Sequence, residues 1–220
     1  MSIANNLVNI KSQLPNQVTL VAVSKTKPVA DLMEAYNAGQ RIFGENKIQE
    51  MTEKWEQMPK DIHWQMIGHV QTNKVKYMAA YVSLIHGVDS LKLLQEINKQ
   101  ALKHHRTIDC LLQIYIAEEE SKFGLDEEEL IEILNSEEFQ QLKNIKIVGL
   151  MGMATFTENK NQIIKEFQNL KRIFDKLNNQ PKTNNLQPST LSMGMSGDYQ
   201  LAVECGSTMV RIGSSIFGTR

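Results

Sequence analysis

The sequence predicts a closed parallel α/β barrel of the (β/α)8 TIM type with one additional helix in front, on three observations. Short apolar runs alternate with longer amphipathic segments from one end of the chain to the other, the pattern of repeated β-α units. Eight such runs can be counted, the number that closes a barrel rather than leaving an open sheet. A length of 220 residues is one at which single barrels are common, so residues 1–220 are read as one domain.

The elements follow in order. A leading helix, Ile3 to Leu14, stops before Pro15 and is expected to cover one end of the barrel. The apolar runs Val18 to Val23, Arg41 to Phe43, His63 to Ile67 and Leu84 to Val88 give the first four strands. Asp109 to Ile116, Lys146 to Met151, Thr190 to Met193 and Met209 to Ile212 give the other four. Between them, Val29 to Ala38, Asn46 to Trp55, Leu91 to His104, Glu127 to Leu134 and Asn161 to Leu177 carry apolar residues at helical spacing, and Gly39 supplies a stop for the first of these. Asn178 to Ser189 is rich in Asn and Pro, has no periodicity and reads as a surface loop.

Composition removes several classes of function. Hydrophobic residues make up 41% and charged residues 22%, the mixture of a globular domain. With 24 Lys plus Arg against 25 Asp plus Glu, the overall field gives no reason to expect nucleic acid or an anionic membrane as a partner. Cys110 and Cys205 lack metal-site spacing and read as reduced, buried thiols, which points to the cytoplasm. The N-terminus has no basic flank followed by an apolar core, and no window has the length of a membrane span.

In a parallel barrel the strand ends and the loops after them open on one face, where active sites lie. The polar motifs of this chain fall there: Lys25 after the first strand, Asn46 after the second, His69 after the third, Asp89-Ser90 after the fourth, Ser192 and Ser196 at the seventh and Gly213-Ser214 after the eighth. A lysine held in a barrel mouth and partly desolvated can condense with an aldehyde. Standing by itself it reads as a surface charge. Gly206-Ser207-Thr208 and Gly213-Ser214-Ser215 let backbone N–H groups approach a phosphate, or simply form turns. Arg211 interrupts the eighth strand and alternation puts it on the face of Met209 and Gly213. It either pairs with a buried carboxylate such as Glu204 or donates to a ligand acceptor. His69 reads as a wall residue, Lys74 and Lys76 as solvated charges, and Lys103 to Arg106 as a helix end. The loop from Glu118 to Gly124 is either a lid or an exposed acidic loop.

Several words go further together. Ala22-Val23-Ser24-Lys25-Thr26-Lys27-Pro28, Phe43-Gly44-Glu45-Asn46, Ile67 to Lys74, Leu191-Ser192-Met193-Gly194-Met195-Ser196 and Gly206 to Gly213 resemble the pyridoxal phosphate homeostasis protein family. Members of that family look like the barrel domain of alanine racemase standing alone. The resemblance runs from Val18 to Arg220, and it departs from the pattern at His86-Gly87-Val88-Asp89-Ser90, where Gly87 replaces a more usual Ser. It implies pyridoxal 5′-phosphate held as a Schiff base on Lys25, with Ser192, Gly213 and Ser214 at the phosphate. Arg211 would meet the pyridine nitrogen, and Asn46 and His69 would line the ring pocket. It implies vitamin B6 homeostasis without catalytic turnover, with apo pyridoxal-phosphate enzymes as partners; a monomer is expected. Two-base racemisation needs a second base from another domain, and none is expected after Arg220. An amino-acid racemase is the alternative, and a barrel enzyme using Lys25 on its own phosphate ester a more distant one.

Overall fold

The computed structural model describes residues 2–118 and 123–218. Eight parallel strands run β1(Thr19–Val23), β2(Ile42–Glu45), β3(His63–Met66), β4(Leu84–Val88), β5(Ile108–Gln113), β6(Ile145–Met151), β7(Leu186–Ser192) and β8(Met209–Ile212), and they close in sequence order, β8 pairing with β1. Helices α1(Ile3–Gln13), α2(Val29–Asn37), α3(Ile48–Gln57), α4(Leu91–Lys103), α5(Glu127–Asn135), α6(Glu137–Gln140), α7(Lys160–Asn178), α8(Tyr199–Glu204) and α9(Ser214–Phe217) surround them, with a 3-10 turn η1(Thr72–Tyr77) after β3. The predicted fold class is the one observed.

Alternation divides the core in two. Leu20, Ala22, Phe43, Trp64, Cys110, Leu112 and Leu191 point outward and build one large cluster with the helices. Val21, Leu84, Leu111, Met151 and Met209 point inward and fill the lumen. The inward series on β1 continues through Val23 to Lys25, and that on β8 through Arg211 to Gly213, so both polar residues stand above an apolar plug.

Two sequence expectations are corrected. Helix α1, started by Ser2 Oγ accepting from Asn5 N (3.2 Å), does not lie across a barrel end. Its Leu7 and Ile10 pack at the seam between α2 and α9, where Asn6 Nδ2 donates to Ile216 O (3.0 Å). The final helix has only four residues, too few to cover that seam, and α1 takes the place. Strand β7 starts at Leu186, inside the segment read as a loop. Pro188 disguised it, since proline cannot donate to a ladder. The ladder is interrupted there: Leu186 pairs with Ile147, Thr190 pairs with Gly149, and the register shifts between. A Cβ on Gly149 (φ 155°) would lie 1.7 Å from Thr190 O, so only glycine permits this approach.

Candidate cofactor site at the barrel mouth

A cavity of about 760 Å³ opens at the C-terminal ends of the strands, and Lys25, Asn46, His69, Arg211, Gly213 and Ser214 all line it. Six of the seven residues expected from sequence are thus brought together. Ser192 is the exception and does not line the cavity. It ends β7 pointing inward, fully buried, and its Oγ accepts from Arg211 Nη1 (2.6 Å).

Arg211 is 4% exposed. No carboxylate lies within salt-bridge distance of it among the described residues, so the alternative of an ion pair with Glu204 does not hold. Its hydrogen-bond partners are neutral: Ser192 Oγ, and Gly152 O at 3.1 Å from Nη2. Burial pulls its pKa down to about 10, opposed by Asp198, so it is charged at neutral pH. A guanidinium has five N–H donors. Two find acceptors in the protein, and the group faces the cavity with donors to spare.

Because Arg211 only donates, the polarity of the network behind it is determined. Ser192 accepts from Arg211, so its own proton goes to His86 Nδ1 (3.2 Å). His86 then carries its proton on Nε2 and donates to Gln65 Oε1 (2.7 Å). This tautomer is assigned from the donor sequence. Burial first, and the charge of Arg211 second, hold the His86 pKa well below the ordinary 6.5, so the imidazole stays neutral. Sequence reasoning passed over Gln65 and His86. Their signal was available: both are polar residues on the inward face of strands whose neighbours are apolar.

The lysine wall is built differently. Lys25 follows β1 in a tight turn closed by Lys27 N donating to Ser24 O (3.1 Å). Behind this turn lies a buried charged cluster. Lys54, 5% exposed on α3, donates to Ser24 O (2.8 Å), Glu45 Oε1 (2.8 Å) and Glu50 Oε1 (2.7 Å). Ser24 Oγ donates to Glu45 Oε1 (2.6 Å) and Thr26 N to Glu50 Oε1 (2.6 Å). Burial pushes the Glu45 carboxyl up, partly countered by Lys54 and Ser24, and its Oε2 has no partner.

The remaining rim comes from loops. Gly213 N donates to Ser196 Oγ (3.2 Å), and the N–H groups of Ser214 and Ser215 precede the first bond of α9, Ile216 N to Gly213 O (2.9 Å). Lys27 Nζ donates to Phe217 O (3.0 Å), tying the turn after β1 to α9. His69, 47% exposed, pairs with Asp89 Oδ2 (3.3 Å) and stacks on Phe123 (4.9 Å between centroids), a wall residue as expected. Asn46 packs its backbone where a Cβ on Gly68 would fall, and Gly87 similarly receives Gly68 O. Buried Glu166 joins two rim loops by accepting from Glu118 N (3.3 Å), Thr155 N (2.7 Å) and Thr155 Oγ1 (2.7 Å). Of the expected lid, Glu119 to Lys122 lie outside the described residues; Phe123 lines the cavity.

Away from the mouth, Cys110 is buried and Cys205 half-buried at the end of α8, and both are free. No group of three metal-ligating side chains occurs among the described residues. No helix of the described chain is long and apolar enough to cross a membrane. Arg106 does more than end α4: it holds Ala79 O and Val82 O after η1.

Comparison with known proteins decides the family. Residues 1–220 match the family described as alanine racemase, N-terminal domain. A pyridoxal phosphate homeostasis protein of Aquifex aeolicus is 39% identical over 206 residues, covering 93% of this chain and 88% of that one. The chain belongs to the pyridoxal phosphate homeostasis protein family. Another member, from Vibrio alginolyticus, is 38% identical over 100% of this chain and 98% of its own length. Among solved structures, PipY of Synechococcus elongatus PCC7942, described with PLP bound, superposes with a TM-score of 0.88 at 35% identity, covering 99% of this chain and 100% of PipY. An alanine racemase of Clostridium difficile 630 has a TM-score of 0.81 at 18% identity and shares the fold; this chain spans 60% of it. The homeostasis family thus carries the sequence likeness, and the racemases the barrel alone.

Proposed function

We propose that this protein binds pyridoxal 5′-phosphate at the barrel mouth and serves its homeostasis in the cytoplasm, holding the cofactor on Lys25 and supplying it to apo pyridoxal-phosphate enzymes, as one domain and as a monomer. The observation that carries the reading is Arg211: a buried cation with no carboxylate within salt-bridge distance among the described residues and spare donors at a cavity that Lys25 also lines. The residues fit the group. Lys25 supplies an amine for the aldehyde, Gly213 and Ser214 with Ser196 supply small polar contacts for the phosphate, and Asn46 and His69 border the ring. Ser192 contributes by orienting Arg211.

When bound, the cofactor supplies an electron-withdrawing ring whose pull depends on its nitrogen being protonated. Arg211 has only protons to give at that nitrogen, so it favours the unprotonated ring and a weak sink. That supports storage over turnover. Gln65, His86 and Ser192 reinforce it, because neutral His86 leaves Ser192 an acceptor for Arg211 and never a source of negative charge.

The test is absorbance together with proton exchange. Wild type incubated with pyridoxal phosphate gains a visible band that Lys25→Ala lacks, and it exchanges the α-protons of L- and D-amino acids in deuterated water far below ordinary enzyme rates of about 1 to 1,000 per second. Absence of the band overturns cofactor binding. Saturable, Lys25-dependent interconversion of enantiomers at ordinary rates establishes a racemase instead.

A further inference from the structure

We infer that Glu50 and Lys54 of α3 are positioning residues for Lys25, and that the ion cluster they form with Glu45 sets how fast the Lys25 amine captures an aldehyde. The inference rests on the cofactor reading above and goes beyond it to residues that do not line the lysine's cavity.

Lys25 sits in the tight turn that follows β1. Ser24 O accepts Lys27 N, so Lys25 and Thr26 are its two central residues, and Thr26 has φ 63°. That backbone region is the one glycine normally supplies at the third position of such a turn, and a β-branched residue there is an outlier. Something outside the turn must therefore hold it. The structure supplies a holder on each side of Lys25. Before it, Ser24 is fully buried, its Oγ bound to Glu45 and its carbonyl to Lys54 Nζ. After it, the Thr26 N–H is bound to Glu50 Oε1. Lys25 is suspended between these two attachments.

Donor counting shows that the cluster is complete as an anchor. An ammonium has three protons, and Lys54 has three acceptors within 2.8 Å: Ser24 O, Glu45 Oε1 and Glu50 Oε1. None is left over for a ligand. Glu50 Oε1 in turn receives both Lys54 and Thr26, so the carboxylate that orients the turn is itself fixed by a buried cation. A charge cluster buried for stability alone is a poor investment against apolar packing. Set under the one strained turn that carries the reactive lysine, it has a second use.

Capture forms a bond from Lys25 Nζ to the aldehyde carbon and releases the aldehyde oxygen as water, which takes both protons of the neutral amine. The rate depends on the amine being held in line with that carbon. Affinity for an analogue without an aldehyde depends on the remaining contacts and not on this alignment.

The experiment compares wild type, Glu50→Ala and Glu50→Gln with two probes, pyridoxal 5′-phosphate and its alcohol analogue pyridoxine 5′-phosphate. Glutamine keeps an acceptor for Thr26 N; alanine does not. Expected for Glu50→Ala is covalent capture slowed by at least about tenfold, the scale of one hydrogen bond to a charged group, with affinity for the alcohol analogue within about twofold, while Glu50→Gln restores most of the rate. Amide hydrogen exchange of the unliganded wild type adds a reading that needs no variant: the Thr26 N–H is protected although the residue is exposed. An unprotected Thr26 amide, a wild-type capture rate in Glu50→Ala, or an equal loss of both probes overturns the inference. Wild type that binds neither probe overturns the cofactor reading itself.

Discussion

The two buried cations among the described residues, Lys54 and Arg211, are almost equally hidden, at 5% and 4% exposure, yet their surroundings are opposite. Lys54 has two carboxylates and a carbonyl and spends every proton on them. Arg211 has a hydroxyl and a carbonyl, both neutral, and keeps donors in reserve. A cation buried to hold structure is neutralised where it sits. A cation buried to meet a ligand is held by neutral groups, so that its charge remains for the ligand. The polarity of Gln65, His86 and Ser192 achieves this without adding any compensating charge.

The difference can be broken most forcefully by removing each charge in turn. Lys54→Met leaves Glu45 and Glu50 without their partner, and chemical unfolding should show a loss of about 3–5 kcal/mol, the usual result of orphaning half of a buried ion cluster. Arg211→Met orphans no salt-bridged carboxylate among the described residues. Its unfolding loss should be smaller, no more than about 1–3 kcal/mol for two hydrogen bonds, while equilibrium dialysis shows pyridoxal phosphate held at least about tenfold more weakly. Equal losses of stability, or intact retention in Arg211→Met, would erase the contrast.

A finer test uses pH. His86 is neutral in the folded protein at a pH where the unfolded chain, with an ordinary pKa of 6.5, binds a proton. The unfolded state therefore gains as pH falls below 6.5, and stability declines with falling pH by at most about 1.4 kcal/mol per unit from this one group. Above 6.5 the group contributes no slope. His86→Gln should flatten the decline between pH 6.5 and 5 in thermal or urea unfolding, measured as a slope so that the mutant's own offset does not matter. An unchanged slope would mean that His86 is protonated in the folded state and that Ser192 is not oriented as the donor sequence requires.

Much of this was legible from residue order. Alternation in Met209 to Gly213 put Arg211 on the face of Met209 and Gly213, and the barrel rule gathered Lys25, Asn46, His69, Gly213 and Ser214 at one mouth. Ser192 was placed at the phosphate by resemblance alone, and its bond to Arg211 was not legible, because it joins period two along β7 to a residue of β8. The start of β7 was hidden by Pro188, whose missing N–H coincides with a register shift that periodicity cannot show. Lys54 was invisible for a different reason. It sits in an amphipathic helix among Glu and Gln, where a lysine reads as solvated, and only the outward-facing carboxylate Glu45 on the neighbouring strand draws it in. Glu166 was equally unreadable, since its partners lie in loops far away in the chain.

The account stands on Lys25 being the residue that takes the aldehyde, and not Lys27, which donates to Phe217 O, or Lys54, which donates to Ser24 O. The most direct measurement is to incubate the protein with pyridoxal 5′-phosphate, reduce it with borohydride and locate the added mass by peptide mapping. The account predicts label on Lys25 at one equivalent per chain, and none on Lys27 or Lys54. Label on another lysine with Lys25 unmodified, or no stable label at all, would contradict it.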